Sequence, residues 1–528
     1  MGPPVRRPAW LGIDVGTQSL RAALVDADGR LLGSGTAPLA GVRPEPGHHE
    51  QDPESWWIAL GQATREALAG ARDARPAVGA VAICSTSGTL LLSDDSGRVR
   101  SPALMYDDRR AGAQAQRVAA AAASVAESTR RDDPDADGRR AHPSSAVGRL
   151  LWLLEHDDGA ATARAEGAAG AGGAGGAGPG RHAGGLHLTH CGDLLAGRLV
   201  GGRVATDWSH ALKSGYDPEL RAWREELFEA LGVPPSVLPE VVAPGAPLGV
   251  LTRGAARHTG LTAGTPVLAG MTDSCAAQIA AGALAPGSWN SVLGTTLAVK
   301  GVCAEPIVDP GAGVYSHRHP DGRGWLAGGA SNVGAGVLSA RFAGRDLGEL
   351  DAAAATHEPA AAVLYPLTRP GERFPFERAD AQPITLGCLG DEADHFAALL
   401  QGIAFVERLC LARMQELGAR IDGPLRLTGG AARSDYWCQL RSDILGRPVS
   451  RPAHPEPAVG MAILACAEGG SVTEAAVRMV HDDLELEPRV EAIGRFEDAY
   501  GRLCDELAAR GYLDFPERPR RARPGEAQ

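Results

Sequence analysis

Three short segments combine acids, hydroxyls and glycines in patterns that suit phosphate chemistry. The first is Gly12-Ile13-Asp14-Val15-Gly16-Thr17-Gln18-Ser19. An acid closes a strand-like run just before a glycine-threonine turn. Such a turn offers backbone N–H groups and a hydroxyl to phosphate oxygens, and Asp14 can hold a magnesium ion that keeps part of its water shell. The same residues also suit an ordinary hairpin turn with a capping Asp. The second segment, Gly270-Met271-Thr272-Asp273-Ser274-Cys275-Ala276-Ala277, sets Asp273 at the start of a helix of small residues. There it can serve as an N-cap, as a general base toward a hydroxyl, or as both, and the helix dipole favours its ionised form. A base of low pKa suffices when bond breaking to the leaving group runs ahead of attack, as in loose phosphoryl transfer. The third segment is Leu427-Thr428-Gly429-Gly430-Ala431-Ala432-Arg433-Ser434. Its Gly-Gly-Ala turn lets a flat ring or a phosphate approach the backbone, although strand-to-helix turns of this kind are common in α/β proteins.

The composition narrows the chemistry further. The chain has 528 residues, enough for two to four domains. Net charge is −12, with no basic block, which argues against nucleic-acid binding and against a polybasic membrane patch. No unbroken run of 18 apolar residues predicts a transmembrane helix. The nine cysteines are scattered and none forms C-x-x-C, which fits reduced thiols in a cytoplasmic protein. Lysine occurs only at Lys213 and Lys300 and no Gly-Lys pair exists, so a P-loop NTPase is excluded. Lys300 is followed by neither H-R-D nor D-F-G, which removes the protein kinases.

Positioning the three segments requires a mixed α/β scaffold. Three strands are expected at Trp10–Val15, Leu20–Asp26 and Arg30–Thr36, then a helix capped by Asp52 with Pro53 at its first position and an apolar stripe of Trp56, Leu60, Ala63 and Leu68. A buried strand over 78–83 follows. This β-β-β-α-β order excludes an all-parallel sheet. A hairpin around Gly294-Thr295 echoes the one at Gly16-Thr17, which hints at a duplicated fold. Further helices are expected over 393–417 and 458–468. Residues 158–185, rich in Ala and Gly, read as a mobile insertion, and the formal G-x-G-x-x-G at Gly170, Gly172 and Gly175 has no flanking strand or helix. Residues 127–140, dense in charge, read as an exposed excursion.

Together these segments resemble the FGGY carbohydrate kinases, the family of xylulokinase, gluconokinase and glycerol kinase. The likeness spans roughly residues 10–120, 186–300 and 325–500. It is carried by Gly12–Thr17, Glu50-Gln51-Asp52-Pro53, Ala205-Thr206-Asp207-Trp208-Ser209, the Asp273 segment, Leu293-Gly294-Thr295-Thr296, Gly371-Glu372-Arg373, Gly429-Gly430-Ala431 and Gly460-Met461-Ala462. The resemblance implies an α/β fold of two actin-like, ribonuclease-H-like ATPase domains flanking a catalytic cleft. It implies a sugar-binding domain over 8–262, a nucleotide-binding domain over 263–512 and a flexible tail over 513–528. Mg-ATP and a sugar would be the bound molecules, and a homodimer is a common form of the family. Carried over by position, Asp14, Gly16, Thr17 and Gln18 would serve metal and phosphate, with Asp14 the metal ligand. Gly294 and Thr295 would form a second phosphate loop. Gly429, Gly430, Ala431 and Ser434 would line the nucleotide, and Asp273 would be the catalytic base.

The sugar is less directly written. After the strand over 78–83, xylulokinases usually carry Gln-Met-His-Gly and glycerol kinases an Arg-Glu pair, whereas this chain has Cys84-Ser85-Thr86-Ser87-Gly88-Thr89. With Ala103–Arg110 and Ala211–Asp217, the segment looks most like kinases acting on D-ribulose. Thr86 and Ser87 would hydrogen-bond sugar hydroxyls, and Asp108 and Arg110 match positions that hold the sugar in relatives. Turn chemistry and a surface ion pair account for the same four residues. The expected activity is ATP-dependent phosphorylation of a ketopentose such as D-ribulose. Xylulose, or another sugar or polyol taken by this family, is the alternative acceptor, and an actin-like ATPase without sugar chemistry is the alternative class.

Overall fold

The computed structural model describes residues 8–71, 76–129, 144–156, 185–309, 313–492 and 494–513. Nearly all of the expected insertion at 158–185, residues 130–140 of the charged excursion, and the tail past Leu513 lie outside them. The described chain forms two compact units. The first comprises Met1–Ala280, Pro320–Arg323 and Glu456–Met479, and the second the remainder.

The first unit is built on a six-stranded sheet. Strands β1 (Pro8–Val15), β2 (Ser19–Asp26) and β3 (Leu31–Pro38) form an antiparallel meander. Helix α1 (Pro53–Gly70) follows, capped by the Asp52 side chain on the Glu54 N–H, with Pro53 in its first turn. Strand β4 (Ala77–Ser85) runs parallel to β1, pairing Asp14 with Cys84 and Val15 with Ser85. Further on come the short helix α2 (Trp208–Lys213), strands β5 (Pro247–Val250) and β6 (Pro266–Leu268), and helix α3 (Asp273–Ala280). The sheet order is β5-β6-β4-β1-β2-β3. Along β1 the period of two divides the side chains. Leu11, Ile13 and Val15 join a core with Trp56, Leu60 and Ala63 of α1, while Gly12 and Asp14 take the other face.

The expected seam at 262/263 is not where the units divide. Strand β6 adds in parallel to β4, with Val81 opposite Val267 and Ala82 opposite Leu268, so β6 and α3 belong to the first unit. Hydrogen-bonding register, rather than the start of an apparent repeat, sets the boundary.

The second unit carries a seven-stranded sheet. Its elements are β7 (Trp289–Leu293), β8 (Leu297–Cys303), β9 (Tyr315–Arg318), β10 (Trp325–Ser331), helix α4 (Glu392–Glu416), β11 (Leu425–Thr428), helix α5 (Asp435–Leu445) and β12 (Val449–Pro452). The chain then returns to the first unit as α6 (Pro457–Ala467), and β13 (Asp482–Leu486) completes the second sheet. The order is β9-β10-β8-β7-β11-β12-β13. Among the described residues only α4 is long and apolar enough to cross a membrane, a match that a search for unbroken apolar runs misses because polar residues interrupt it. Most of α4 is buried, where Phe396, Leu400, Ile403 and Leu409 form the centre of this unit's core.

Helix α6 shows why two glycines sit where they do. A Cβ on Gly12 would fall 1.7 Å from the Ala458 carbonyl oxygen, and one on Gly460 would fall 2.0 Å from that of Ala276. Backbone therefore packs on backbone between β1, α6 and α3, and this close stack fixes the height of the strand ends above it.

Candidate active site

The parallel strands β1, β4 and β6 end side by side in the first unit. In parallel sheets the carboxyl ends are where side chains and loops project freely toward ligands. Asp14 ends β1, Cys84 and Ser85 end β4, and an isolated parallel bridge between Ser85 and Thr272 prolongs the ladder to the residue before Asp273. Asp14 and Asp273 are thus neighbours within one unit, not residues contributed by separate domains as the sequence-based boundaries imply.

Asp14 is buried, and its Oδ2 accepts from Arg21 Nη1 at 3.0 Å. Its Oδ1 accepts from the Cys84 thiol at 3.6 Å. Burial raises its pKa to about 6, the Asp273 carboxylate adds to the rise, and the Arg21 guanidinium opposes it. Burial and the two carboxylates push the Cys84 thiol far up, so it remains a protonated donor. Asp273 is half-buried and accepts from the Ser274 N–H at 2.7 Å. A buried carboxylate of raised pKa, a second carboxylate close enough to repel it and one guanidinium against them leave a shortage of positive charge. That donor set fits a divalent cation keeping most of its water. Among the described residues no three His, Cys, Asp or Glu side chains are placed to hold a metal ion together, so such an ion would draw few ligands from the protein.

The Gly16-Thr17 turn is closed by the Gly16 N–H on the Ser19 carbonyl at 3.1 Å and leaves Gln18 exposed. Gln51 holds it from below, donating to the Thr17 carbonyl at 2.6 Å while accepting from Trp56 Nε1 at 2.7 Å. Thr86 is turned inward, its hydroxyl 2.6 Å from that of Thr89. Ser87 differs, because its Oγ is buried with no hydrogen-bond partner, and an unmatched hydroxyl of this kind suits a ligand.

Asp108 and Arg110 do not meet the sugar-holding expectation. Asp108 is fully buried, and its oxygens accept from the His49 N–H, the Arg110 N–H and the Arg110 guanidinium. Arg110 also pairs with Glu50 at 2.6 Å and lies over the Trp152 ring. The pair is an internal strut, in which buried charges match one another rather than a substrate.

In the second unit, β7 and β11 pair in parallel, so their ends bring Gly294-Thr295 beside Gly429-Gly430. Gly294 is held by the Ala335 N–H on its carbonyl at 2.8 Å, and Thr295 is exposed. Gly429 has φ +88° and a Cβ there would lie 2.5 Å from the Leu293 carbonyl oxygen, so only glycine permits this closeness. Gly429 and Gly430 are exposed, but Ala431 is buried in the core. Ser434 caps α5 on the Trp437 N–H at 2.9 Å and donates to Asp351 at 2.7 Å. Ala431 and Ser434 therefore shape the loop without presenting a free group.

The sequence analysis gives no site role to Arg21, Gln51, His210 or Arg149. Hairpin register alone could have found Arg21, since it lies directly opposite Asp14. Arg149 is buried with its guanidinium on the Met105 carbonyl; burial lowers its pKa to about 10 against the pull of Asp108 and Asp107. No spacing pattern marks either Arg149 or His210.

Comparison with known proteins bears on this geometry. Residues 9–280 match the N-terminal domain, and residues 289–468 the C-terminal domain, of the FGGY family of carbohydrate kinases. The chain is 31% identical to a xylulose kinase of Streptomyces coelicolor, over 95% of this chain and 96% of that protein. It is 29% identical to a glycerol kinase of Allorhizobium ampelinum, over 93% and 97%. Among solved structures, a xyloylose kinase from Brucella ovis matches the fold with a TM-score of 0.80 at 23% identity, covering 96% of this chain and all of that one.

Proposed function

The chain belongs to the FGGY family of carbohydrate kinases and is an ATP-dependent sugar kinase, and on that footing we propose that it phosphorylates a ketopentose, D-ribulose first among them, with Asp273 as the general base. The observation that carries the role of Asp273 is its position beside Asp14 at the ends of three parallel strands. Asp273 accepts the proton of a sugar hydroxyl while that oxygen attacks the γ-phosphate. Asp273 opens α3, and its Oδ1 accepts the Ser274 N–H at 2.7 Å. Asp14 would hold magnesium, which when bound offsets the negative charge of the transferring group. The exposed Thr295 and the exposed Gly429-Gly430 backbone leave room for nucleotide phosphates to approach closely. A ketopentose acceptor is supported by the unmatched Ser87 hydroxyl near the end of β4 and by the likeness to a xylulose kinase.

The test is a coupled ADP-release screen over D-ribulose, D-xylulose, L-ribulose, ribitol, gluconate and glycerol. D-Ribulose should give the highest kcat/KM, and Ser87→Ala should lower it chiefly through KM. A clear preference for glycerol or gluconate would overturn the ketopentose assignment while leaving the kinase intact.

A further inference from the structure

Behind Asp273 lies a buried polar array. Asp207 caps α2, its Oδ1 accepting the N–H groups of Ser209 at 2.7 Å and His210 at 3.2 Å. Its Oδ2 is hydrogen-bonded to His210 Nδ1. The other ring nitrogen, Nε2, lies 2.9 Å from Ser85 Oγ at the end of β4, and Ser85 Oγ also accepts the Gly192 N–H at 3.1 Å. A second branch leaves the same carboxylate. The Ser209 hydroxyl donates to Asp207 Oδ1 at 2.5 Å and accepts the Thr272 N–H at 2.9 Å. Both branches end next to the acids, because Ser85 follows the Cys84 that touches Asp14, and Thr272 precedes Asp273. Asp207, Ser209, His210, Ser85 and Thr272 are each at most 2% exposed.

We propose that His210, held by Asp207, is a positioning residue for the phosphoryl transfer: through Ser85 and through Ser209–Thr272 the pair fixes where the Asp273 carboxylate stands relative to Asp14. The proposal rests on the reading of Asp273 as base. A helix cap by itself needs only Asp207 Oδ1 and the two N–H groups. The reach of His210 to Ser85, on a strand more than a hundred residues earlier, is unnecessary for a cap and does tie the cap to the strand end. Burial alone would strip the ring of its second proton, but the Asp207 carboxylate, with smaller pulls from Asp193 and Asp273, raises its pKa to about 9. Nε2 therefore donates to Ser85. A base must stand within hydrogen-bond reach of the hydroxyl it serves, and misplacement by about 1 Å can lower the rate about 100-fold.

The experiment compares His210→Ala, His210→Gln, Ser85→Ala and Asp273→Ala in the ADP-release assay with D-ribulose and D-xylulose, alongside urea midpoints. His210→Ala should lower kcat roughly 10- to 100-fold with KM for ATP and sugar within about twofold. Gln, whose amide can still donate toward Ser85, should recover part of that loss, and Ser85→Ala should give a smaller fall in kcat. If His210→Ala does not fold, Ser85→Ala decides. Folded His210 and Ser85 variants that keep kcat within about twofold, or that change only KM, overturn the proposal. Asp273→Ala separates the two claims. Should it retain turnover, the assignment of the base fails; should it be inactive while the His210 and Ser85 variants work normally, only the positioning role fails.

Discussion

The two sheets share a device and load it differently. Each has an antiparallel hairpin, β1–β2 or β7–β8, that closes through a Gly-Thr turn beside the end of a parallel neighbour. In the first unit the strand ends carry Asp14 and, next to Ser85, the Thr272-Asp273 step. In the second the corresponding ends carry Leu293, Gly294, Gly429 and Gly430, with no ionisable side chain. The same backbone geometry thus presents carboxylates in one place and exposed glycine backbone in the other. On the proposed function, proton transfer and cation binding would belong to the first, and close approach of phosphate or ring to the second.

The largest test of that division is Asp273→Ala. Turnover should drop by about 10²- to 10⁴-fold, the range typical of a lost general base, with little change in urea midpoint for this half-exposed group. Near-normal turnover would break the contrast at its root. Asp14→Asn comes next, with kcat reduced about 100-fold and a gain in stability that sharpens the comparison. The folded pKa of Asp14, about 6, lies above its ordinary value of 3.8. The folded state therefore binds the proton more tightly, and this acid stabilises the fold only below the unfolded value. That contribution is lost as pH rises through the folded one. Removing the charge should raise stability by about 1–3 kcal/mol at pH 8 and have almost no effect near pH 4, read from urea melts. An equal gain at both pH values would show that the acid is not desolvated.

Gly429→Ala acts on the other unit. With φ +88° and a Cβ 2.5 Å from the Leu293 carbonyl, it should destabilise by about 1–3 kcal/mol and raise KM for ATP while leaving KM for the sugar unchanged. A rise in the sugar KM alone would reverse the roles assigned to the two strand-end sets. The smallest effect belongs to Ser434→Ala. Loss of the α5 cap should lower stability by about 1 kcal/mol with turnover within about twofold, since its hydroxyl serves Trp437 and Asp351. A strong rise in KM for ATP would instead restore Ser434 to the nucleotide-lining role that its position suggests.

Much of this scaffold is legible without coordinates because it follows local rules. The Asp52-Pro53 start of α1 and its Trp56, Leu60 and Ala63 stripe reflect capping and a 3.6-residue period. The β1–β2–β3 meander follows from turn residues between alternating strands. Asp14, Asp273 and the two glycine pairs were marked by residue type next to an element end. Where the reading failed, the cause was distance in the chain. Asp108 and Arg110 have the types expected of a sugar site, yet Glu50, His49 and Trp152 complete them from within. Ala431 sits in a loop motif but faces the core.

By itself, the sequence determined the element types, the turn chemistry and the identity of the two acids, because propensity, capping and glycine backbone freedom act over a few residues. The tertiary structure alone decided that β6 joins the first sheet and brings Asp273 beside Asp14, and that His210 backs them both. Strand register and burial are set by packing free energies summed over segments hundreds of residues apart, and no local pattern records that sum.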